Sequence, residues 1–461
     1  MAGNTDLRAL VEEAGLTRRE IARWVNKAAE RRGRHLGCTH TSVARWLDGA
    51  QPRWPIPDLL AEVLGRRLGY ELTVSDLGLR DRRPPAADPF DGLSVARTVS
   101  DIRRAVVELT GRDMNRRNFL LGSTFGAAAF SSPALFWSTA TGAEPEAMEH
   151  ASPETGGGRV RAADVERIRQ TVVMFRKLDR AQGGGDLRDT VVNHLHGVAR
   201  TKLSGSYGDD VGRSLFRAVA ELTELAGWLS FDSGRHALAQ RYHIQALRLA
   251  QAADDRAYGA YVMANMACQA VYLGHGWEAV QLARAAYQGA RGSLTHRGQA
   301  LVLAMEARGH AAMREERGCV DALRAAERAL DAADGDEDPA WCQYFDKAEL
   351  VHEFAHCHRD LRQPERTQQF ANEAIGLRAD GYTRRCAQDT TFMAAAHLAE
   401  NELDAACSKA AEALDIATRL NSSQCNDFLR TFRASLRPYE KERVVREFSE
   451  RTEDMYVGMA V

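Results

Sequence analysis

The sequence predicts an all-α fold, and three features carry that expectation. Apolar residues recur at three- and four-residue spacing behind helix-capping residues through the first 80 positions. From Arg159 onward, small residues pair seven apart, and the pairs return about every 40 residues. The chain of 461 residues is 44% hydrophobic and 27% charged, which excludes a disordered polymer and allows two or three domains with buried cores. The expected division is a small helical head over 1–80, a linker with a connector helix over 81–158, and stacked helical hairpins over 159–450.

The head is organised around Thr39 to Pro52. A hydroxyl residue is available to cap a helix, and Val43, Trp46 and Leu47 share one buried stripe. Gly49 and Pro52 close the element. The opposite face carries His40, Thr41, Ser42 and Arg45. These short polar groups and one arginine sit near a helix N-terminus, where phosphate is favoured and base edges of a major groove come within reach. Upstream, a first helix is expected over Asp6–Glu13, and Thr17 with Glu20 forms a capping box before Ile21-Ala22. Downstream, Pro55-Ile56-Pro57 opens another helix. Ile21-Ala22, Ser42-Val43-Ala44-Arg45-Trp46 with Gly49, and Asp76-Leu77 resemble the phage-repressor-like (Cro/C1-type) helix-turn-helix family over about the first 80 residues. The resemblance implies binding of double-stranded DNA through His40, Thr41, Ser42 and Arg45. The stretch from Asn26 to Cys38, with Lys27, Arg31, Arg32, Arg34 and His35, departs from that family's tight turn.

Charge supports the division. Residues 1–83 hold 15 Lys or Arg against 11 Asp or Glu, a surplus of +4 in a chain whose net charge is −2, which suits a nucleic-acid-binding head on an acidic body. The eight cysteines form no Cys-x-x-Cys pair and read as small buried hydrophobes in a reducing cytoplasm. Met1 to Leu16 lacks the apolar core of a secretory signal.

Val95, Val99, Ile102, Val106 and Leu109 make a seam two heptads long, which reads as a packed connector helix in preference to a dimerisation helix, with a homodimer as the alternative. Met114 to Leu121 contains Arg116-Arg117 and leads into an uncharged run reaching Gly142, the pattern of a twin-arginine export signal in mid-chain. Gly122, Gly126 and Pro133 make it a poor membrane span, so a segment packed on the body is expected.

Beyond Gly156-Gly157-Gly158, five pairs align: Ala239 with Ala246, Ala279 with Ala286, Ala322 with Ala329, Thr367 with Ala374, and Ala406 with Ala413. Gly227, Ala267, Ala355 and Ala394 take the small position of preceding helices, and Gly234 and Gly274 the turns. These residues resemble tetratricopeptide repeats with a period longer than usual. In that family the first helix of each hairpin lines a concave groove, which implies a ligand, peptide or protein surface built from Glu221, Glu224, Trp228, Tyr261, Glu349, His352, His356 and Arg359.

His352-Glu353-Phe354-Ala355-His356 fits the His-Glu-x-x-His pattern of zinc peptidases, with Asn372-Glu373 near a third-ligand position. The repeat register argues against it, because Ala355 is a packing position and Glu373 should point away. No enzyme, metal or cofactor is expected. The expected function is a cytoplasmic transcriptional regulator whose repeat body senses a ligand or partner, and the Arg- and Ala-rich composition suggests a high-GC bacterium. A tetratricopeptide interaction scaffold without specific DNA binding is the alternative, and a zinc metallopeptidase the remote one.

Overall fold

Every regular element among the described residues is a helix; the only strand-like feature there is an isolated bridge between Arg159 and Ser206. The computed structural model describes residues 3–30, 36–53, 55–68, 70, 72–79, 92–93, 98–114, 125–139, 158–335, 338–378 and 383–452. The paired arginines at 116–117, Val95 of the heptad seam, the Arg80–Pro85 linker and the basic stretch 31–35 lie outside these. The chain divides into two compact units, Met1–Asp88 and Pro89–Val461. Residues 89–158, read from sequence as linker, therefore belong with the body wherever they are described.

The first unit packs α1 (Thr5–Ala14), α2 (Arg18–Glu30), α3 (His40–Leu47) and α4 (Ile56–Leu68) around Leu7, Ile21, Val25, Val43, Trp46, Leu59, Leu60, Leu64 and Leu77. Asn4 caps α1 by accepting from the Leu7 amide at 3.0 Å, and its Nδ2 donates to the Leu77 carbonyl at 2.9 Å, tying the first helix to the last turn of the unit. Thr17 and Glu20 make the expected capping box: the Thr17 amide donates to Glu20 at 2.8 Å and the Glu20 amide to Thr17 at 3.3 Å.

In the second unit α5 (Val99–Met114) buries Ile102, Val106 and Leu109 against α8 (Leu187–Val198) and α10 (His236–Ala252). A buried polar knot fixes it there. Asp113 accepts from Arg188 and, at 2.6 Å, from the Tyr242 hydroxyl, while Arg188 also donates to Ser230 at 2.9 Å. The described end of the apolar run forms α6 (Ser131–Thr139), which packs on α12 (Gly276–Gly289). Its Trp137 is 1% exposed and fills a slot that only glycines leave open: a Cβ on Gly259 or Gly289 would stand 2.3 or 2.1 Å from the indole. Among the described residues no helix is long and apolar enough to cross a membrane.

Five helical hairpins then stack in sequence. They are α9 (Asp209–Asp232) with α10, α11 (Arg256–Tyr272) with α12, α13 (His296–Ala312) with α14 (Glu316–Asp331), α15 (Lys347–Asp360) with α16 (Pro364–Leu377), and α17 (Thr383–Ala399) with α18 (Leu403–Ala417). α7 (Ala162–Gln182) and α8 precede them, and α19 (Ser423–Ser435) and α20 (Arg443–Arg451) follow.

All five turns use one geometry, with a left-handed residue at Gly234, Gly274, Arg314, Arg362 and Asn401. In each turn that residue's amide donates to the carbonyl three back, and the next amide to the carbonyl five back. The absence of glycine from later copies thus hides turns that are present. Counting from them corrects the third copy: its packed pair is Cys319 and Ala326, both 0% exposed, rather than Ala322 and Ala329, and Ala307 fills the small position seven before the turn.

Candidate functional site

On α3 the cap is reciprocal: the Ser42 amide donates to Thr39 Oγ1 at 3.4 Å and the Thr39 amide to Ser42 Oγ at 3.3 Å. Ser42, expected as a DNA-facing group, is half-buried and commits its hydroxyl to the cap. His40, Thr41 and Arg45 stand exposed on the face opposite buried Val43, Trp46 and Leu47. The Asn26 side chain sets the start of α3. It donates to the Cys38 carbonyl and accepts from the Cys38 amide, both at 3.0 Å. One half-buried side chain thereby fixes where α3 begins relative to α2 across the long connection.

Outside α10, most of the polar side chains that the hairpins bury lie on their first helices, and the eight groove residues fall into separate places. Trp228, Tyr261 and Glu349 line one cavity of about 90 Å³ together with Arg176, Asp179 and Arg180 of α7, Asn265, Tyr344, and Arg384 and Arg385 of α17. Glu224 lies fully buried beneath it, holding Arg176 at 2.5 Å and Asn265 at 2.8 Å. Glu221 pairs with Arg217 at 3.7 Å outside that cavity. His356 and Arg359 line a second, wider pocket of about 810 Å³ at the other ends of the same helices, with Arg308, Phe392 and Phe428 among its walls.

His352, expected in the groove, is instead fully buried in the layer between the two. Its Nδ1 bonds Asp389 at 2.6 Å and its Nε2 accepts from Arg385 at 3.2 Å. His356 Nε2 accepts from Arg308 at 2.7 Å, and the buried Glu353 carboxylate lies 3.5 Å from the same guanidinium. Burial, with the arginines beside them, pushes His352 well below the ordinary imidazole range and His356 down to about 3. Both rings are therefore neutral acceptors for guanidinium groups. In this geometry guanidinium groups of Arg385 and Arg308 occupy the Nε2 lone pairs of His352 and His356 that a zinc ion would need as ligands.

A ring of ion pairs closes the array on itself. Arg384 reaches Asp179 of α7 at 2.7 Å and Asp232 of α9 at 3.5 Å, Ser422 donates to Asp232 at 2.7 Å, and the Gly185 amide donates to the Asn421 carbonyl at 3.1 Å. Arg385 binds Glu349, which Arg378 also holds at 3.2 Å. Burial opposes the Glu349 charge, and these two guanidiniums outweigh it, holding the carboxyl below its usual range.

Sequence reasoning missed Arg176, Asp179, Arg180, Arg384 and Arg385, which come from α7 and from the start of α17. It also missed Arg308, which occupies the register position of Trp228 and His356 in the misaligned third copy.

Residues 7–80 match the family described as the SP15 N-terminal domain, a match confined to the first unit. No curated protein matches the chain.

Proposed function

We propose that the chain is a transcriptional regulator, with a Cro/C1-like helix-turn-helix head that binds double-stranded DNA and a tetratricopeptide-like body that binds a ligand or partner in the cytoplasm. The observation that carries the reading is α3: a short capped helix, seated on α2 through Val43, Trp46 and Leu47, with His40, Thr41 and Arg45 exposed on its outer face. Such a helix suits major-groove entry, with Arg45 supplying the donor fork for a guanine edge or a phosphate. The stacked hairpins with cavities on their first helices support the sensing half of the reading.

The test begins by selecting bound sequences from random duplexes with the full chain, then measuring affinity for selected and scrambled DNA across a salt series. Arg45→Ala should weaken binding to the selected site by roughly 1 to 3 kcal/mol and leave helicity intact. Equal affinity for selected and scrambled DNA would instead favour an interaction scaffold without specific DNA binding.

A further inference from the structure

We infer that the turn between α17 and α18 is a binding site for one divalent first-row transition ion of the zinc type, with His397, Glu400 and Glu402 as its protein ligands. The inference stands apart from the DNA and ligand binding proposed above.

The backbone of the turn brings the three residues together. Asn401 takes left-handed backbone at φ 64°, reversing the chain between the two glutamates, and the Glu402 amide donates to the His397 carbonyl at 2.9 Å. His397 Nδ1 then lies 2.7 Å from the Glu402 carboxylate. Gln368 reaches in from α16 of the preceding hairpin, its side-chain amide 2.5 Å from Glu400 and 3.5 Å from His397 Nδ1. The three ligand atoms all lie within 4.8 Å of one another, and among the described residues no other group of three His, Cys, Asp or Glu is so placed. Donors bound to one ion at about 2.0–2.2 Å stand roughly 3 to 4.4 Å apart, so side-chain rotations that move these atoms by about 1 Å complete the site. Glu402 is exposed, which leaves a path for the ion.

Charge selects a cation. Among the described residues neither Glu400 nor Glu402 has a Lys or Arg partner, whereas the buried carboxylates of Glu224, Glu349, Asp179 and Asp338 are each held by a guanidinium. Here two carboxylates face one imidazole and one neutral amide, and an ion would replace the proton that His397 Nδ1 shares with Glu402. The two sister turns lack this set. His358 meets the amide of Gln363 instead of a carboxylate. His310 meets Glu315 through Nδ1, but its second carboxylate, Glu306, lies 3.7 Å from the opposite ring nitrogen and is held by Arg284 at 2.7 Å.

Donor chemistry narrows the ion. One imidazole nitrogen with two carboxylates suits Zn²⁺, Co²⁺ or Ni²⁺, whereas Mg²⁺ and Ca²⁺ favour all-oxygen sets and Cu(I) favours sulfur. Half a turn of the Gln368 amide would present its oxygen as a fourth donor. An ion held there joins the fourth hairpin to the fifth, and because it binds the folded chain it should raise the melting temperature.

The probe is Zn²⁺, titrated calorimetrically into the untagged, chelator-stripped full chain, with Mg²⁺ and Ca²⁺ as controls and thermal melting as the second readout. One equivalent should bind at least tenfold more tightly than either control and raise the melting temperature. Glu402→Gln gives this turn the His–Gln clasp that the fourth hairpin already uses, so it should melt like the parent without metal while binding zinc at least tenfold more weakly. Adding Glu400→Gln should remove that equivalent.

The inference is overturned if the chain binds no zinc up to millimolar concentration or if Mg²⁺ binds as tightly as Zn²⁺. It is also overturned if the double variant keeps the parent's stoichiometry and affinity, which would place the zinc at other histidines or cysteines. Should the double variant fail to fold, Glu402→Gln decides alone, and an unchanged zinc affinity there overturns the site.

Discussion

At the scale of single residues, the body depends on charges and imidazoles buried in matched sets, and removing one member leaves the others unsatisfied. His356 is the clearest case. It is 4% exposed, accepts from Arg308 at 2.7 Å, has Arg359 and Asp360 each at 3.4 Å, and packs edge-on against Phe392 and Phe428. Its folded pKa of about 3 lies below the ordinary 6.5, so between those values the unfolded chain binds a proton that the folded chain refuses. Stability therefore rises with pH through that window and is lost as pH falls below about 6.5. One such group contributes a slope of about 1.4 kcal/mol per pH unit. Denaturant unfolding of the full chain at pH 7, 6 and 5 should show that loss, and His356→Gln, which keeps an acceptor for Arg308, should flatten it by about one proton. An unaltered slope in the variant would mean that His356 is already charged in the folded protein. The same burial removes His356 from the set of residues that can be truncated to probe a ligand without touching stability. Sequence register placed it in the groove because register reports which side of a helix a residue takes, and says nothing of what packs onto that side.

At the scale of elements, the hairpin turns show what was legible and what was concealed. Gly234 and Gly274 mark the first two turns openly, because glycine adopts the left-handed conformation without steric cost. Arg314, Arg362 and Asn401 take the same conformation at φ of 62°, 60° and 64°, so a reader looking for glycine slips the register there. In these three turns a histidine clasps the start of the following helix. His310 bonds Glu315 at 2.6 Å, His358 bonds Gln363 at 2.6 Å, and His397 bonds Glu402 at 2.7 Å. The glycine turns have Ser230 and Ala270 at the corresponding positions. The clasp offsets the strain of a side chain in left-handed backbone, about 1 kcal/mol or more per residue. Replacing Arg314 or Arg362, both exposed, with glycine should therefore stabilise the body by roughly 0.5 to 1 kcal/mol each, read as a raised denaturant midpoint with unchanged slope. A destabilised glycine variant would show that the arginine side chain contributes more than the backbone strain costs.

At the scale of the whole molecule, the periodic part of the sequence announced the stacked hairpins, whereas the closure of the array could not be read from any period. Arg384 meets Asp179 across 205 positions and Ser422 meets Asp232 across 190, and no local pattern encodes pairings of that span. The cavity lined by Trp228 and Tyr261 is completed by α7 for the same reason, and its arginines stayed hidden among ordinary helix-surface charges. The two units, by contrast, have separate cores: Leu7, Ile21, Trp46 and Leu60 in the first, and a contiguous cluster running from Ile102 to Leu350 in the second. A head of this size with its own core can fold alone. On the function proposed above, the expected outcome is that a fragment of residues 1–88 melts cooperatively and selects the same duplex sequences as the full chain. In the full chain, a ligand on the body can change DNA affinity only by favouring one head arrangement over another. A fragment that fails to select the sequence preferred by the full chain would show that the body takes part in DNA recognition, and the division of labour between the two units would have to be redrawn.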